Sequence, residues 1–126
     1  MKYVVDAATV EGVKKIPSRT SKLLLSEMSV GARAFSMGQN VTDVGSQIPE
    51  HAHETSEEGM YIVSGRGRLI TEEREQDLGP GMAIFMPPGV KHSLLNVGDE
   101  PLKLVWVYSP PLPNHIKPSD TTQGGQ

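Results

Sequence analysis

Thirteen glycines and ten prolines interrupt this 126-residue chain every few residues, so few windows can hold a long helix. Between the breakers lie short apolar runs rich in β-branched residues. They are MYIVSG (60–65), RLITEE (68–73), MAIFMP (82–87), HSLLNV (92–97) and LKLVWVY (102–108). Strand-like runs recurring about every ten residues, with turn residues between them, predict an all-β sandwich or barrel. SKLLLSEM (21–28) and ARAFSMGQNV (32–41) add two strands upstream, whereas DAATVEGVKK (6–15) suits either a turn of helix or an extended arm. The length fits one domain, and we assign residues 1–108 to it, with an N-terminal arm. Residues 109–126 change character to four prolines followed by polar residues and glycine. The proline part is expected to lie extended along the surface and the last residues to be disordered.

Charge and composition exclude several classes of function. Twelve Lys and Arg against fifteen Asp and Glu give a net charge of −3, and no dense basic cluster or helix-turn-helix pattern is present. Nucleic acid is therefore not an expected partner. Without cysteine there are no disulfides or thiolate metal sites. The N-terminal MKYVVDAATV carries Asp6 where a signal peptide would be apolar, and no stretch is long and apolar enough for a membrane helix. The expected location is cytoplasmic, with no membrane partner.

The chemistry concentrates in PEHAHETSEEG (49–59), where His51 and His53 stand one residue apart among acidic side chains. On a strand such residues share a face. Two histidines alone are a weak signal, and so are the nearby Glu54, Glu57 and Glu58. The wider spacing is more specific: Gly45-x5-His51-x-His53-x4-Glu58-x6-Gly65, then Gly81-x5-Pro87-x-Gly89-x2-His92-x3-Asn96. The turns GPGM (79–82) and PPGVKH (87–92) bracket the apolar AIFM and return the chain towards His92.

These two patterns resemble the two sequence motifs of the cupin superfamily, specifically its small single-domain metal-binding members, and every defining position is filled. The resemblance implies a small antiparallel β-barrel of jelly-roll type. It also implies a metal held by His51, His53, Glu58 and His92. Glu57 competes for the carboxylate position, but counting back from Gly65 favours Glu58; Glu54 is expected on the solvent side. Many cupins carry aspartate after the glycine of the second motif, where this chain has Met82. That position is not a ligand. Asn96 is expected to hydrogen-bond backbone rather than act in catalysis.

Three imidazoles and a carboxylate suit one divalent transition metal ion, Mn, Fe, Ni, Co or Zn, and leave positions open for a small-molecule substrate. On a straight strand Met60 and Ile62 share the face of Glu58, and Leu94 that of His92, giving apolar walls. Arg33, Arg66, Arg68 and Lys91 are the cations available to an anionic substrate, and most of them are expected at the surface.

The resemblance points to a metal-dependent enzyme. The expectation is dioxygenase-like oxidation of an enol, enediol or phenolic substrate, with Glu58 as general base. The alternatives are a non-redox isomerase, lyase or decarboxylase, and a small-molecule-binding module without catalysis. The remaining partner is a second copy in a homodimer, with YVV (3–5) and LLL (23–25) as candidate contact segments.

Overall fold

Residues 1–117 are described by the structure, a computed structural model. After a 3₁₀ turn at Ala7–Thr9 come ten strands. They are β1 (Val13–Lys15), β2 (Arg19–Leu25), β3 (Ser36–Thr42), β4 (Gln47–His51), β5 (Glu57–Ser64), β6 (Gly67–Thr71), β7 (Glu75–Leu78), β8 (Ala83–Met86), β9 (His92–Asn96) and β10 (Leu102–Ser109). One helical turn, α1 (Glu27–Val30), follows β2, and a second 3₁₀ turn spans Pro113–His115. All strand pairs are antiparallel. They form a six-stranded sheet in the order β1-β2-β3-β10-β5-β8 and a four-stranded sheet in the order β4-β9-β6-β7.

The fold is of jelly-roll type, as expected, but it is a sandwich of two sheets rather than a closed barrel. β1 and β8 end one sheet and β4 and β7 the other, and among the described residues no ladder joins the two. Side chains rather than backbone hydrogen bonds close the interior.

Alternation along each strand builds that interior. In β5 the residues Glu58, Met60 and Ile62 are buried while Tyr61 and Val63 face out; in β10 Leu102, Leu104, Trp106 and Tyr108 point inward. Ile48, Leu69, Ile84, Met86 and Leu94 complete the core from the other strands. Two glycines are dictated by close approach. A Cβ on Gly38 would sit 2.3 Å from Trp106 Cζ2 and 2.2 Å from the Lys22 carbonyl oxygen, so β3 must be bare where the indole crosses it. Gly65, at φ 90°, turns β5 into β6 with the Pro101 carbonyl 2.5 Å from where its Cβ would be.

Three strands lie outside the apolar runs. β7 (EQDL) buries only Leu78 and pairs only with β6. β4 contains Pro49, which lacks an N–H to donate and is tolerated because β4 is an edge strand. β1 is a three-residue edge strand, so the segment 6–15 supplies both a helical turn and an extended arm. SKLLLSEM stops being strand at Leu25, because the Ser26 and Ser29 side chains form a capping box that starts α1.

Candidate metal centre

The two sheets meet the motif residues at one end of the sandwich. His51 is the last residue of β4 and His92 the first of β9, and they are directly opposite in the ladder. Glu58 comes from the facing sheet, where its strand partners are Tyr108 and Met86. His53 sits in the loop after β4, whose course is fixed by Gly89 N–H donating to the His53 carbonyl at 2.8 Å. The ring centroids of His51 lie 4.9 Å from His53 and 4.3 Å from His92. Glu58 Oε1 lies 3.4 Å from His92 Nε2 and 3.7 Å from His53 Nε2.

One donor atom from each of His51, His53, Glu58 and His92 falls within 4.8 Å of the other three. The tautomers of two imidazoles follow from their backbone contacts. His51 Nδ1 is 2.8 Å from the Pro49 carbonyl and His92 Nδ1 is 2.9 Å from the Val90 carbonyl. A carbonyl can only accept, so each Nδ1 carries the proton and each neutral ring presents the Nε2 lone pair to the cluster. That is the outer arrangement which orients histidine ligands in metal sites. Glu58 and His92 are each only 1% exposed, and neither Glu58 Oε1 nor His92 Nε2 makes a hydrogen bond in this structure. Two buried polar groups aimed at one point, with a hard oxygen and imidazole nitrogens around it, fit a first-row divalent ion. Burial opposes protonation of His92, but Glu58 and the Val90 carbonyl outweigh it, and the pKa of His92 is raised.

Glu57 and Glu54 are exposed, which leaves Glu58 as the carboxylate of the cluster. Asn96 does what its residue type suggested: it donates to the Thr42 carbonyl at 3.0 Å and the Glu100 carbonyl at 2.9 Å, and accepts from Gly98 N–H. Met60, Ile62 and Leu94 are buried as expected. Arg33, Arg66 and Lys91 are exposed, and Arg68 pairs with Asp77 at 3.1 Å. A cleft of about 390 Å³ lies between β6, β7 and β8, lined in part by Thr71, Glu72, Arg74, Phe85, Met86 and Val90. That volume is in the range of small-molecule sites. None of the four cluster residues lines the cleft.

Three aromatic groups near the cluster were not assigned a place by sequence. Tyr108 is fully buried with its ring centroid 4.8 Å from that of His53, and burial together with the Glu58 carboxylate pushes its phenol pKa far up. Trp106 lies 5.2 Å from Tyr108. His115 stacks on Trp106 at 5.3 Å with an interplanar angle of 18°. The C-terminal segment thus does more than lie along the surface: Leu112 and His115 anchor it inside, and Ser36 Oγ is 2.7 Å from His115 Nδ1. Alternation with Leu104 could have found the two β10 aromatics. Nothing local in SPPLPNHIKP marks His115. The expected disorder of the final residues lies outside the described chain.

His115 carries a pH prediction. Burial, then Lys15 and His53, push its pKa from 6.5 down to about 4. Between those values the unfolded chain holds the proton and the folded one does not, so the stability this group contributes is present above pH 6.5 and lost as pH falls towards about 4. The melting temperature of the wild type is expected to fall more steeply over that window than that of His115→Gln. Parallel slopes in thermal melts of the two would contradict it.

Comparison with known proteins places this geometry. The cupin domain family model (Cupin_2) matches residues 41–108, which span both motifs and all four cluster residues. The chain is 34% identical to the polyketide synthase CurC of Streptomyces cyaneus, over 92% of this chain and 73% of that protein. It is 36% identical to the uncharacterized protein MJ1618 of Methanocaldococcus jannaschii over 60% of this chain, and that match spans 61% of the relative, less than two-thirds of its length. In fold it is similar to the polyketide cyclase RemF of Streptomyces resistomycificus, with a TM-score of 0.75 at 22% identity, covering 86% of this chain and 80% of that one. Motif spacing, sandwich and converging imidazoles agree: the chain belongs to the cupin family.

Proposed function

We propose that this cupin is a metal-dependent enzyme acting on a small enolisable or phenolic molecule, with β-dicarbonyl chains of the polyketide kind as the leading substrate class. The observation that carries the proposal is the convergence of four donor atoms within 4.8 Å, Glu58 and His92 buried and His51 and His53 half-buried. A bound divalent ion would supply Lewis-acid stabilisation of an enolate oxygen. The chain's own residues supply the rest. His51 and His92 keep their Nε2 lone pairs aimed at the cluster through the Pro49 and Val90 carbonyls. Glu58 is the base nearest to a substrate held there and accepts its hydroxyl or α-carbon proton. Tyr108, kept protonated, offers a hydrogen-bond donor beside Glu58. Met60, Ile62 and Leu94 exclude water, which strengthens each of these interactions.

The reaction we favour is non-redox: proton removal followed by bond formation or cleavage at the enol carbon. Similarity to a protein named as a polyketide synthase supports this order. Dioxygenase-like oxidation of the same enol is the second reading, supported by a donor set that suits iron, manganese or nickel. The test is turnover of β-dicarbonyl and polyphenol probes by metal-loaded protein, with and without dioxygen. The first reading expects equal rates in anaerobic buffer, and loss of turnover in Glu58→Gln. Stoichiometric oxygen uptake would replace it with the second. Probe binding without turnover under either condition would make the protein a binding module.

A further inference from the structure

A cavity of about 340 Å³ lies on the inward face of the six-stranded sheet at its β1–β2 end. Val13 and Lys15 of β1 and Leu23 of β2 line it together with Trp106 of β10 and Asn114 of the C-terminal segment, and no cluster residue does. Tyr108 separates the two sites, its ring centroid 5.2 Å from that of Trp106 and 4.8 Å from that of His53. The volume suits a small organic molecule.

Two features of the cavity call for a ligand. The first is charge. Lys15 is the direct cross-strand partner of Arg19, as Val13 is of Ser21. Ser21 is buried and Leu23 packs against the core, so alternation puts Arg19 on that inward face and pairing puts Lys15 there with it. Like charges directly opposite one another weaken a strand pair. Burial disfavours both charges as well: it lowers the pKa of Arg19, and burial, then Arg19, lowers that of Lys15. Among the described residues no carboxylate forms an ion pair with Arg19. The second feature is polarity. Trp106 Nε1 and Asn114 Oδ1 are both buried, and neither makes a hydrogen bond in this structure. The first can only donate and the second only accept, and a hydroxyl has the acceptor and the donor that serve both.

We propose that this cavity binds a small hydroxy carboxylic acid, separately from the metal cluster, with the carboxylate at Lys15 and Arg19 and the hydroxyl at Trp106 and Asn114. The anion offsets the repulsion across the β1–β2 pair. Val13 and Leu23 meet the carbon chain, a lining that suits a carboxylate on a short apolar body better than a heavily hydrated inorganic anion. Asn114 belongs to the segment that His115 ties to Ser36 and whose Pro110 carbonyl accepts from Ser56 Oγ at 2.6 Å. A ligand that touches Asn114 and β1 at once therefore links the C-terminal segment to the N-terminal strands.

Trp106 is the only tryptophan of the chain, so intrinsic fluorescence reads the cavity directly. The probes are 3-hydroxybutyrate, butyrate, which lacks the hydroxyl, and methyl 3-hydroxybutyrate, which lacks the charge. Titration of 3-hydroxybutyrate up to about 50 mM is expected to give a saturable change, with butyrate weaker and the ester weaker by at least about tenfold. Lys15→Met is expected to weaken 3-hydroxybutyrate by about tenfold and Arg19→Gln by a smaller factor. Each substitution removes one of two repelling charges, so without ligand both variants should melt no lower than the wild type. In His92→Ala the binding is expected to be unchanged, so the cavity and the metal cluster stand or fall separately. No saturable change, or equal binding of acid and ester, would overturn the proposal. So would binding that is lost in His92→Ala, which would move the carboxylate to the cluster, or binding undiminished in both Lys15→Met and Arg19→Gln.

Discussion

In His92→Ala, added first-row divalent metal is expected to leave the melting temperature unchanged, whereas the wild type is stabilised. Metal that binds only the folded state at one hundred times its dissociation constant adds about 2.7 kcal/mol. The substitution removes an Nε2 that is 1% exposed, held by the Val90 carbonyl and aimed at Glu58. Loss of a partner that merely orients a ligand costs up to about a hundredfold in affinity, and loss of the ligand itself should cost more. The effect must be separable from damage to the fold, and the comparison of each variant with and without metal separates it. A His92→Ala protein that is still stabilised to the wild-type extent would remove His92 from the site.

The largest effect on the fold itself is expected from Trp106→Ala. Trp106 is 1% exposed and packs between Gly38, Tyr108 and His115. Truncating a buried tryptophan costs about 3–5 kcal/mol, against a total stability of about 5–15 kcal/mol for a domain. The wall opposite the indole is Gly38, which has no side chain to move into the cavity, so relaxation is limited. One term runs the other way: Trp106 Nε1 is buried without a hydrogen-bond partner in this structure, and its removal returns about 1 kcal/mol. The expected net is a fall in melting temperature on the order of 15 °C. Trp106→Phe keeps most of the packing and deletes the same donor, so it should cost much less. Equal losses in calorimetry of the two variants would show that the indole nitrogen, not the volume, matters.

The parts of this molecule that could be read from sequence are those encoded by local pattern. Glycine and proline delimit β5, β8, β9 and β10, and alternation in MYIVSG and LKLVWVY assigns their faces. The cluster residues were legible because a turn-bounded motif fixes their spacing along the chain, and the fold brings His51 opposite His92 and Glu58 across from both. What was not legible depends on partners distant in sequence. β7 is polar because it is an edge with little to bury, and β4 carries a proline that only an edge can accept. The choice of sandwich over closed barrel lies in which edges pair, which no local run encodes. His115 is buried through Ser36, 79 residues away in sequence, and Trp106. Gly38 and Gly59 look alike in sequence, yet one makes room for an indole of its own chain and the other faces open space.

We propose that His51, His53, Glu58 and His92 together hold one metal ion. Metal content by mass spectrometry, on protein purified without chelator or nickel affinity resin, tests it most directly. Close to one equivalent of a first-row divalent metal per chain is expected, lost in His51→Ala. No metal, even after reconstitution at neutral pH, would contradict it.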